Sequence, residues 1–259
     1  GLSYQVIEAK GPTFEQTVRS KSDIEKLRVA GPEHLSYVLE AIRITKRELH
    51  DRVPLIGFAG APWTILAYMV EGKGSKTFSV AKKFLYTEPA LAHALLEKIT
   101  ESTIQYLKAQ IAAGADLVQL FDSWAGLLSP DQYREFSLRY LEAIAAAITE
   151  VPVTIFAKGA FFARKEIAAT NCSVIGLDWN MDIQESRALI GDAKTLQGNM
   201  DPCLLYAEDS VIVHETHRML EAFGPSRHIA NLGHGLYPDT DPRKVKLFID
   251  TIKNFRFKV

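Results

Sequence analysis

The sequence predicts an α/β protein, a (β/α)8 TIM barrel of which six β/α units can be recognised. Six short apolar runs alternate with segments that can be helical, and no linker or low-complexity tract interrupts them. This alternation is typical of a parallel sheet covered by helices. The runs end in polar residues, at Ser123, Lys158, Asp178, Asn199 and His234. A barrel builds its active site from several strand ends, whereas a doubly wound sheet binds ligands at one switch point near a glycine-rich turn such as G-x-G-x-x-G, which this sequence lacks.

The apolar pattern predicts the individual elements. The strands are the runs VPLIGFAG (53–60), ADLVQLFDS (115–123), VPVTIFAKG (151–159), SVIGLDWN (173–180), KTLQGNM (194–200) and RHIANLGHG (227–235). Helices are predicted from about Pro32 to His50, from Pro62 onward, from about Leu95 to a left-handed cap at Gly114, and from Pro130 to Thr149.

The first fifty residues hold too little for two further β/α units. They contain an extended piece from Leu2 to Ala9, a loop at Gly11 and Pro12, and the helix that starts near Pro32. A closed barrel needs eight strands, and an open six-stranded sheet leaves two edges unpaired. We therefore expect residues 1–259 to form a single, incomplete (β/α) barrel domain that has strands 3 to 8 and lacks the first two β/α units.

Composition excludes several classes of function. The 259 residues are 47% hydrophobic, and 30 basic residues balance 31 acidic ones without a basic block, so nucleic acid and anionic membranes are not expected partners. No apolar run approaches the roughly 20 residues of a membrane span, and a cytoplasmic location is expected. The two cysteines, Cys172 and Cys203, are far apart, so we expect buried free thiols and neither a disulfide framework nor a cysteine-rich zinc site.

His234 is the first candidate for the site. It lies between two glycines in NLGHG, directly after an apolar strand, where the backbone can approach a ligand and the imidazole can donate or titrate near neutral pH. The alternative is a glycine turn in which the histidine caps a neighbouring group. The other six histidines have mostly charged neighbours, and we expect them at the surface.

Ser123 in LFDSWAG is predicted to be a pocket residue that forms hydrogen bonds, or else a strand-end cap. A serine nucleophile is not expected, because the nucleophile elbow G-x-S-x-G would need glycine where Phe121 stands. Asp122 faces the opposite side of the strand and is expected to stabilise the rim.

Lys158, Asp178 and Asp201 leave alternatives open. Lys158 could form a Schiff base in an aldolase-like lyase, pair with a carboxylate, or contact an anionic substrate. The two aspartates could be acids, metal ligands or turn residues, and the proline after Asp201 favours a turn there. No H-E-x-x-H or H-x-C arrangement indicates a metal site.

The segment GFAGAPWTILAYMVEG (57–72) is predicted to be a strand, a tight turn and a helix at the rim of a pocket. Tyr68 would lie one or two turns beyond the strand end, where its phenol can bond a substrate. Phe58 and Trp63 would line an apolar wall. A tyrosine in an apolar helix is also commonly a core residue, so this alternative stays open.

At these residues the chain closely resembles the uroporphyrinogen decarboxylase family. The resemblance rests on VPLIGFAGAPWTILAYMVEGKGSKTF, LVQLFDSWAG, IFAKG, GLDW, LQGNMDPC and NLGHGLYPDTDP, which follow in family order from Gly11 onward. It implies a (β/α)8 barrel without cofactor or metal, a homodimer whose clefts face each other, and uroporphyrinogen as the small-molecule partner. The implied reaction removes carbon dioxide from four acetate side chains to give coproporphyrinogen.

The resemblance also implies roles for residues. Tyr68, Ser123 and His234 match substrate-contacting positions, and Phe58 and Phe121 match apolar lining. In the family a protonated pyrrole accepts the electrons released as carbon dioxide leaves, and an aspartate stabilises that cation. The motifs R-Q-A-G-R-Y and F-S-D-I, which carry the family's carboxylate-binding arginines and this aspartate, do not occur in the 259 residues.

No catalytic residue can therefore be assigned, and we expect this chain alone to be inactive. Two alternatives to the decarboxylase remain at this point. One is a zinc-dependent, cobalamin methyltransferase-like barrel, although the two cysteines do not fit its metal pattern. The other is an inactive barrel fragment that acts as a binding module.

Overall fold

A computed structural model describes residues 2–7 and 11–257. It contains a short antiparallel hairpin and a six-stranded parallel sheet. The strands are β1 Tyr4–Ile7, β2 Gly11–Phe14, β3 Ile56–Gly60, β4 Leu117–Asp122, β5 Val153–Ala157, β6 Val174–Gly176, β7 Thr195–Met200 and β8 His228–Leu232. The hairpin pairs β1 with β2, and the sheet has the order β3-β4-β5-β6-β7-β8.

The six predicted strands are confirmed, and their order distinguishes the two α/β classes. Each strand lies beside the next one in the chain, with no reversal of direction along the sheet. A doubly wound sheet would contain a switch point, whereas a barrel winds in one direction. The fold is therefore of the barrel type, with six of the eight strands that a closed barrel contains.

Helices follow the strands as the sequence predicts. They are α1 Lys21–Lys26, α2 Ser36–Leu49, α3 Pro62–Glu71, α4 Ser79–Thr87, α5 Pro89–Ala112, α6 Pro130–Tyr133, α7 Arg139–Ala147, α8 Arg164–Ala169, α9 Ile183–Ile190, α10 Asp209–Phe223 and α11 Pro242–Asn254. The helix predicted from Pro130 to Thr149 is interrupted by a π-helical turn, Arg134–Leu138, between α6 and α7.

The N-terminal prediction was incomplete. Residues predicted as a loop at Gly11 and Pro12 begin strand β2, and helix α1 was not predicted. The predicted extended piece reaches Ala9, which lies outside the described residues. The hairpin segment is held by tertiary bonds: the amide of Phe14 donates to the carbonyl of Gly72 at 2.7 Å, and that of Val18 to Met69 at 3.0 Å.

The outer edge of β3 is covered by a side chain. The Gln110 amide on α5 accepts from the Phe58 N–H and donates to the Phe58 carbonyl, both at 2.9 Å. These are the two backbone groups that a neighbouring strand would otherwise bond. Within the described residues no strand pairs with this edge or with the outer edge of β8.

Candidate active site

Four aromatic rings and one imidazole form a continuous belt across the carboxyl end of the sheet. Ring centroids are 5.8 Å apart for Phe58 and Phe121, and 5.9 Å for Phe121 and Phe156. The belt continues from Phe156 to His234 at 6.0 Å and from His234 to Trp179 at 6.2 Å. Edge-to-face contacts of this kind are favourable beyond the apolar area they bury. We call these five residues the aromatic belt.

A cavity of about 750 Å³ opens along the concave face of the sheet. Its lining includes apolar residues of α11 and the strand-end residues Phe58, Phe121, Ser123, Phe156 and His234. Its volume falls within the range of small-molecule sites. The structure thus brings together four of the five residues predicted to contact substrate, all except Tyr68.

Tyr68 lies outside the lining of this cavity. Its ring packs edge-on against Phe78 at 5.3 Å and Trp124 at 6.2 Å, and it is half-buried on α3. Trp124 follows Ser123 in the chain, so Tyr68 packs against the residue next to a cavity-lining residue and does not line the cavity itself. Its contact with substrate stays a prediction. Trp63 was predicted to line the apolar wall, but it is fully buried and its indole N–H donates to the carbonyl of Trp124 at 3.0 Å.

Asp122 is a buried structural carboxylate beneath Ser123. It accepts hydrogen bonds from the hydroxyls of Thr64 at 2.7 Å and Ser137 at 2.5 Å. Burial raises the pKa of Asp122 to about 6, against the opposing effect of these two hydroxyls. Ser137 lies in the π-helical turn and Thr64 at the start of α3, so Asp122 joins both elements to the end of β4. This agrees with the rim-stabilising role expected for Asp122.

Asp178 is fully buried and joins two rim loops. One of its carboxylate oxygens accepts from the Gly159 amide at 2.6 Å, and the other from the Asn180 amide at 2.9 Å. The first loop follows β5 and the second follows β6. Of the alternatives left open for Asp178, these contacts favour a turn-forming residue.

The backbone before His234 fits closely against the same loops. A Cβ added at Gly233 would lie 2.5 Å from the Trp179 amide nitrogen and 3.0 Å from the carbonyl carbon of Asp178. Real Cβ atoms do not approach backbone so closely, so only glycine fits here. By contrast, nothing lies within 4 Å of a Cβ added at Gly235. The first glycine of NLGHG sets the position of His234 and the second does not.

His234 is exposed at the mouth of the cavity, yet its pKa is lowered. Desolvation by its neighbours is the largest cause, followed by repulsion from Lys158, while Asp178 acts in the opposite direction. The backbone of Gly235 also acts against the lowering. The imidazole is therefore neutral at pH 7 and carries one N–H.

The prediction that the other six histidines lie at the surface fails for His93 and His228, which are both half-buried. His93 stacks on Phe136 at 4.9 Å between ring centroids. His228 in β8 stacks on Phe223 at 3.7 Å and donates to the Gly198 carbonyl at 2.8 Å.

Asp201 and the cysteines have local roles. Asp201 accepts from the Cys203 amide at 2.8 Å and caps the turn at 202–206, as the turn interpretation predicted. Cys172 is buried, and burial raises the pKa of its thiol. The prediction of burial is wrong for Cys203, which lies on the exposed side of the capped turn.

The described residues contain neither a metal-ligand cluster nor a helix that could span a membrane. Within residues 2–7 and 11–257, no three His, Cys, Asp or Glu side chains are grouped as metal ligands would be. Among the helices of that same part of the chain, none has the length and apolar character of a membrane span.

Sequence reasoning missed two belt residues, Phe156 and Trp179. Both lie in stretches that were singled out for another residue, IFAKG for Lys158 and GLDW for Asp178. Phe156 precedes Lys158 by two positions, so the period of two in a strand puts both on one face. The period of two could have placed Phe156 on the same face as Lys158. A parallel strand buried on both faces is apolar throughout, however, so its sequence does not show which of the two faces lines a cavity.

The fold and the site define an α/β-barrel protein with its site at the carboxyl ends of the strands. Two solved structures agree on the fold. A methyltransferase from Methanosarcina mazei has a TM-score of 0.81 at 22% identity, covering 98% of this chain and 75% of its own. A B12-independent methionine synthase from Shewanella sp. W3-18-1, in complex with selenomethionine, has a TM-score of 0.60 at 10% identity, covering 98% and 72%.

Sequence comparison identifies the family within this class. A model of the uroporphyrinogen decarboxylase family matches residues 1–255. Uroporphyrinogen decarboxylases of Chlorobium limicola and Hamiltonella defensa are 46% and 48% identical, over 98% and 97% of this chain and 75% and 73% of their own lengths. The enzyme of the same name from Salinibacter ruber is 46% identical over 97% of this chain and 73% of its own. The chain belongs to the uroporphyrinogen decarboxylase family.

Proposed function

We propose that the protein binds uroporphyrinogen at the aromatic belt and serves its decarboxylation to coproporphyrinogen without a cofactor. The observation that carries the proposal is the belt itself, in a chain whose relatives are uroporphyrinogen decarboxylases. A tetrapyrrole is a large, largely apolar ring with charged groups at its periphery. A wide apolar wall with polar groups at its edges is complementary to such a molecule.

The residues of the cavity have distinct roles in this proposal. Phe58, Phe121 and Phe156 contact pyrrole faces and exclude water, which strengthens every polar contact made there. Ser123 and the neutral imidazole of His234 donate hydrogen bonds to substrate carboxylates. Tyr68 is proposed as a further contact, reached from the Trp124 side of the rim.

The proposed decarboxylation requires that the protein bind the substrate and that a pyrrole carbon be protonated. Protonation of a pyrrole carbon turns the ring into an electron acceptor, and the electrons of the breaking carbon–carbon bond enter it as carbon dioxide leaves. The exocyclic methylene that results takes up a proton and the ring carbon loses the one it gained, which leaves a methyl group on the restored pyrrole. The family's cation-stabilising aspartate is carried by F-S-D-I, and this motif is not among the 259 residues. We therefore expect the chain alone to bind uroporphyrinogen and to turn it over slowly or not at all.

The test separates binding from turnover. Anaerobic uroporphyrinogen is titrated into the 259-residue chain while the fluorescence of its three tryptophans is followed, and product is then measured by chromatography. Saturable binding with little coproporphyrinogen is the expected result. Robust turnover would refute the expected inactivity and support the function, and absence of binding would refute the proposal. Zinc analysis of the same sample is the control for a methyltransferase-like protein, which would contain one zinc per chain.

We also propose a homodimer in which the open cavities face each other, and a cytoplasmic location. The dimer is supported by exposed apolar side chains in loops that follow the strand ends, namely Phe161, Tyr206, Leu236 and Tyr237. Light scattering after size-exclusion chromatography measures the mass directly. A monomer at concentrations well above those of the cell would count against the dimer.

A further inference from the structure

Lys158 is a half-buried residue at the rim, and its ammonium has no carboxylate partner among the described residues. Its Nζ lies 5.3 Å from the centre of the Trp179 ring, a cation–π distance. Among the described residues no Asp or Glu oxygen lies within 4.0 Å of it. Its only hydrogen bonds within those residues are those of its backbone.

Neighbouring cations of the rim are engaged in structural contacts. Arg164 is buried and bonds the Ser186 hydroxyl at 2.7 Å and the Glu185 carboxylate at 2.9 Å. Lys82 donates to the carbonyl of Leu127 at 2.7 Å. Lys158 is different, because its side chain lies against Trp179 and no carboxylate of the described chain lies within 4.0 Å of its ammonium. Such a cation is expected to bind an anion from outside.

The backbone around Lys158 is held on both sides. Its amide donates to the Asp122 carbonyl at 3.1 Å, and its carbonyl accepts from the Gly126 amide at 2.9 Å. The next residue, Gly159, donates to the buried Asp178 carboxylate. The side chain therefore starts from a fixed point, which lowers the entropy lost when an anion binds.

Trp179 connects Lys158 to the cavity. The indole of Trp179 lies against the ammonium of Lys158 and also packs edge-on against the His234 ring, with 6.2 Å between the ring centroids. His234 lines the cavity, whereas Lys158 is not among its lining residues and reaches it only through Trp179. A ligand carboxylate beyond the edge of the belt would meet a donor from His234 and a positive charge from Lys158.

We propose that Lys158 and His234 form a carboxylate subsite for one acidic side chain of the tetrapyrrole, with Trp179 holding the ammonium in place. This subsite rests on the proposed function. Lys158 supplies the charge and the neutral His234 supplies a directional hydrogen bond. The alternative Schiff-base role requires a carbonyl substrate, whereas this role requires only an ionised carboxylate.

The experiment compares three variants of the chain. K158Q removes the charge, K158R keeps it, and K165Q removes a charge from an exposed lysine seven positions later. The dissociation constant of anaerobic uroporphyrinogen is measured by tryptophan fluorescence at low and high salt. Because a charged hydrogen bond is lost, K158Q should bind about tenfold more weakly and with a smaller salt dependence. K158R should recover most of the affinity, and K165Q should match the wild type.

A merely structural lysine would give a different pattern. It would lower the melting temperature of K158Q and leave the salt dependence of binding unchanged, which would overturn the subsite. Equal affinities of K158Q and K165Q would also overturn it. Binding by the wild type with little product is the result expected for this chain, and a selective loss of affinity in K158Q then supports the subsite. If the wild type does not bind, both proposals fail. Capture of Lys158 by borohydride with a carbonyl ligand would favour the Schiff-base alternative.

Discussion

Gln119 and Gln197 are hydrogen-bonded to each other across the concave face of the sheet. The side-chain amide of Gln197 on β7 donates to the Gln119 carbonyl oxygen on β4 at 3.0 Å, although β5 and β6 separate their strands. Side chains of two strands so far apart can meet only if the sheet is strongly curved. The six strands therefore retain the curvature of a barrel. Gln119 and Gln197 both line the cavity, and we call this hydrogen-bonded pair the crossbar.

The crossbar predicts a non-additive double substitution. Q197L leaves the buried Gln119 amide without its protein partner, and we expect a loss of about 1–3 kcal/mol in the free energy of unfolding. Adding Q119L removes the orphaned group and should recover much of this loss. Urea unfolding of both single variants and the double variant measures the coupling. Additive losses would mean that the bond contributes little.

The two glycines beside His234 should differ in their tolerance of alanine. At Gly233 the added methyl would meet backbone atoms of Trp179 and Asp178, so we expect destabilisation of about 1–3 kcal/mol and weaker uroporphyrinogen binding. G235A is the matched control, because its Cβ would enter open space. Thermal unfolding and ligand titration test both variants. Equal behaviour of the two would contradict the close packing.

Asp122 should make stability fall as pH rises from about 4 to 7. Its pKa is raised from 3.8 to about 6, so the folded protein binds this proton more tightly than the unfolded chain does. The contribution of Asp122 is therefore fully present below about pH 4 and is lost as pH rises through about 6. The change amounts to about 3 kcal/mol at most.

D122N isolates this contribution, because asparagine does not titrate. The difference in unfolding free energy, wild type minus D122N, should decrease with rising pH across this range. Tyr133, whose pKa is raised by burial and by Asp122, titrates far above the range and does not interfere. D192N, at an exposed aspartate, is the matched control variant in urea unfolding. A constant difference for D122N would refute the raised pKa.

Gln110 should protect the outer edge of β3 from association. Q110L removes both bonds to the Phe58 backbone, leaving an edge N–H and C=O that another chain can pair with. We expect a stability loss of about 2 kcal/mol and faster aggregation. Light scattering during mild heating compares Q110L with Q105L, a change elsewhere on α5. If Q110L and Q105L aggregate at equal rates after correction for their stabilities, Gln110 does not protect the edge of β3 from association.

His234 should make uroporphyrinogen binding depend on pH. An anionic carboxylate favours the imidazolium, so affinity should increase as pH falls from 7 toward 5.5, where substrate carboxylates stay mostly ionised. H234N keeps a donor but does not titrate, so its affinity should be nearly flat over this range. In a complete decarboxylase the same variant should slow turnover or change which intermediates accumulate. Identical pH profiles and rates would exclude His234 from the site.

Much of the fold could be predicted because buried parallel strands carry unbroken apolar runs. All six runs are strands, and their polar ends do meet at one rim, where Ser123 and His234 share a cavity. The hairpin strand β2 was missed because tertiary bonds to α3, not local propensity, hold it. The π-helical turn escaped prediction for a related reason, since its register depends on Ser137 reaching Asp122.

The site was predicted only in part. Strand-end position indicated Ser123 and His234, and the family resemblance indicated Phe121. Neither indicated that Tyr68 faces Phe78 and Trp124. The direction of a helical side chain depends on how the helix docks, which spacing alone does not determine. Phe156 and Trp179 resembled ordinary core residues. Lys158 left three roles open, and only its distance from Trp179 and the absence of a partner among the described residues narrowed them.

The clamp formed by Asp178 limits how this rim can change over evolution. One carboxylate fixes the loops after β5 and β6, and the loop after β8 packs on it through Gly233. An insertion into any of these loops would displace the other two, so we expect the lengths of the three loops to change together. Insertions and deletions should instead accumulate in loops that do not contact Asp178 or Gly233. New substrate preferences should arise by substitution of side chains in the aromatic belt rather than by changes in the lengths of these three loops.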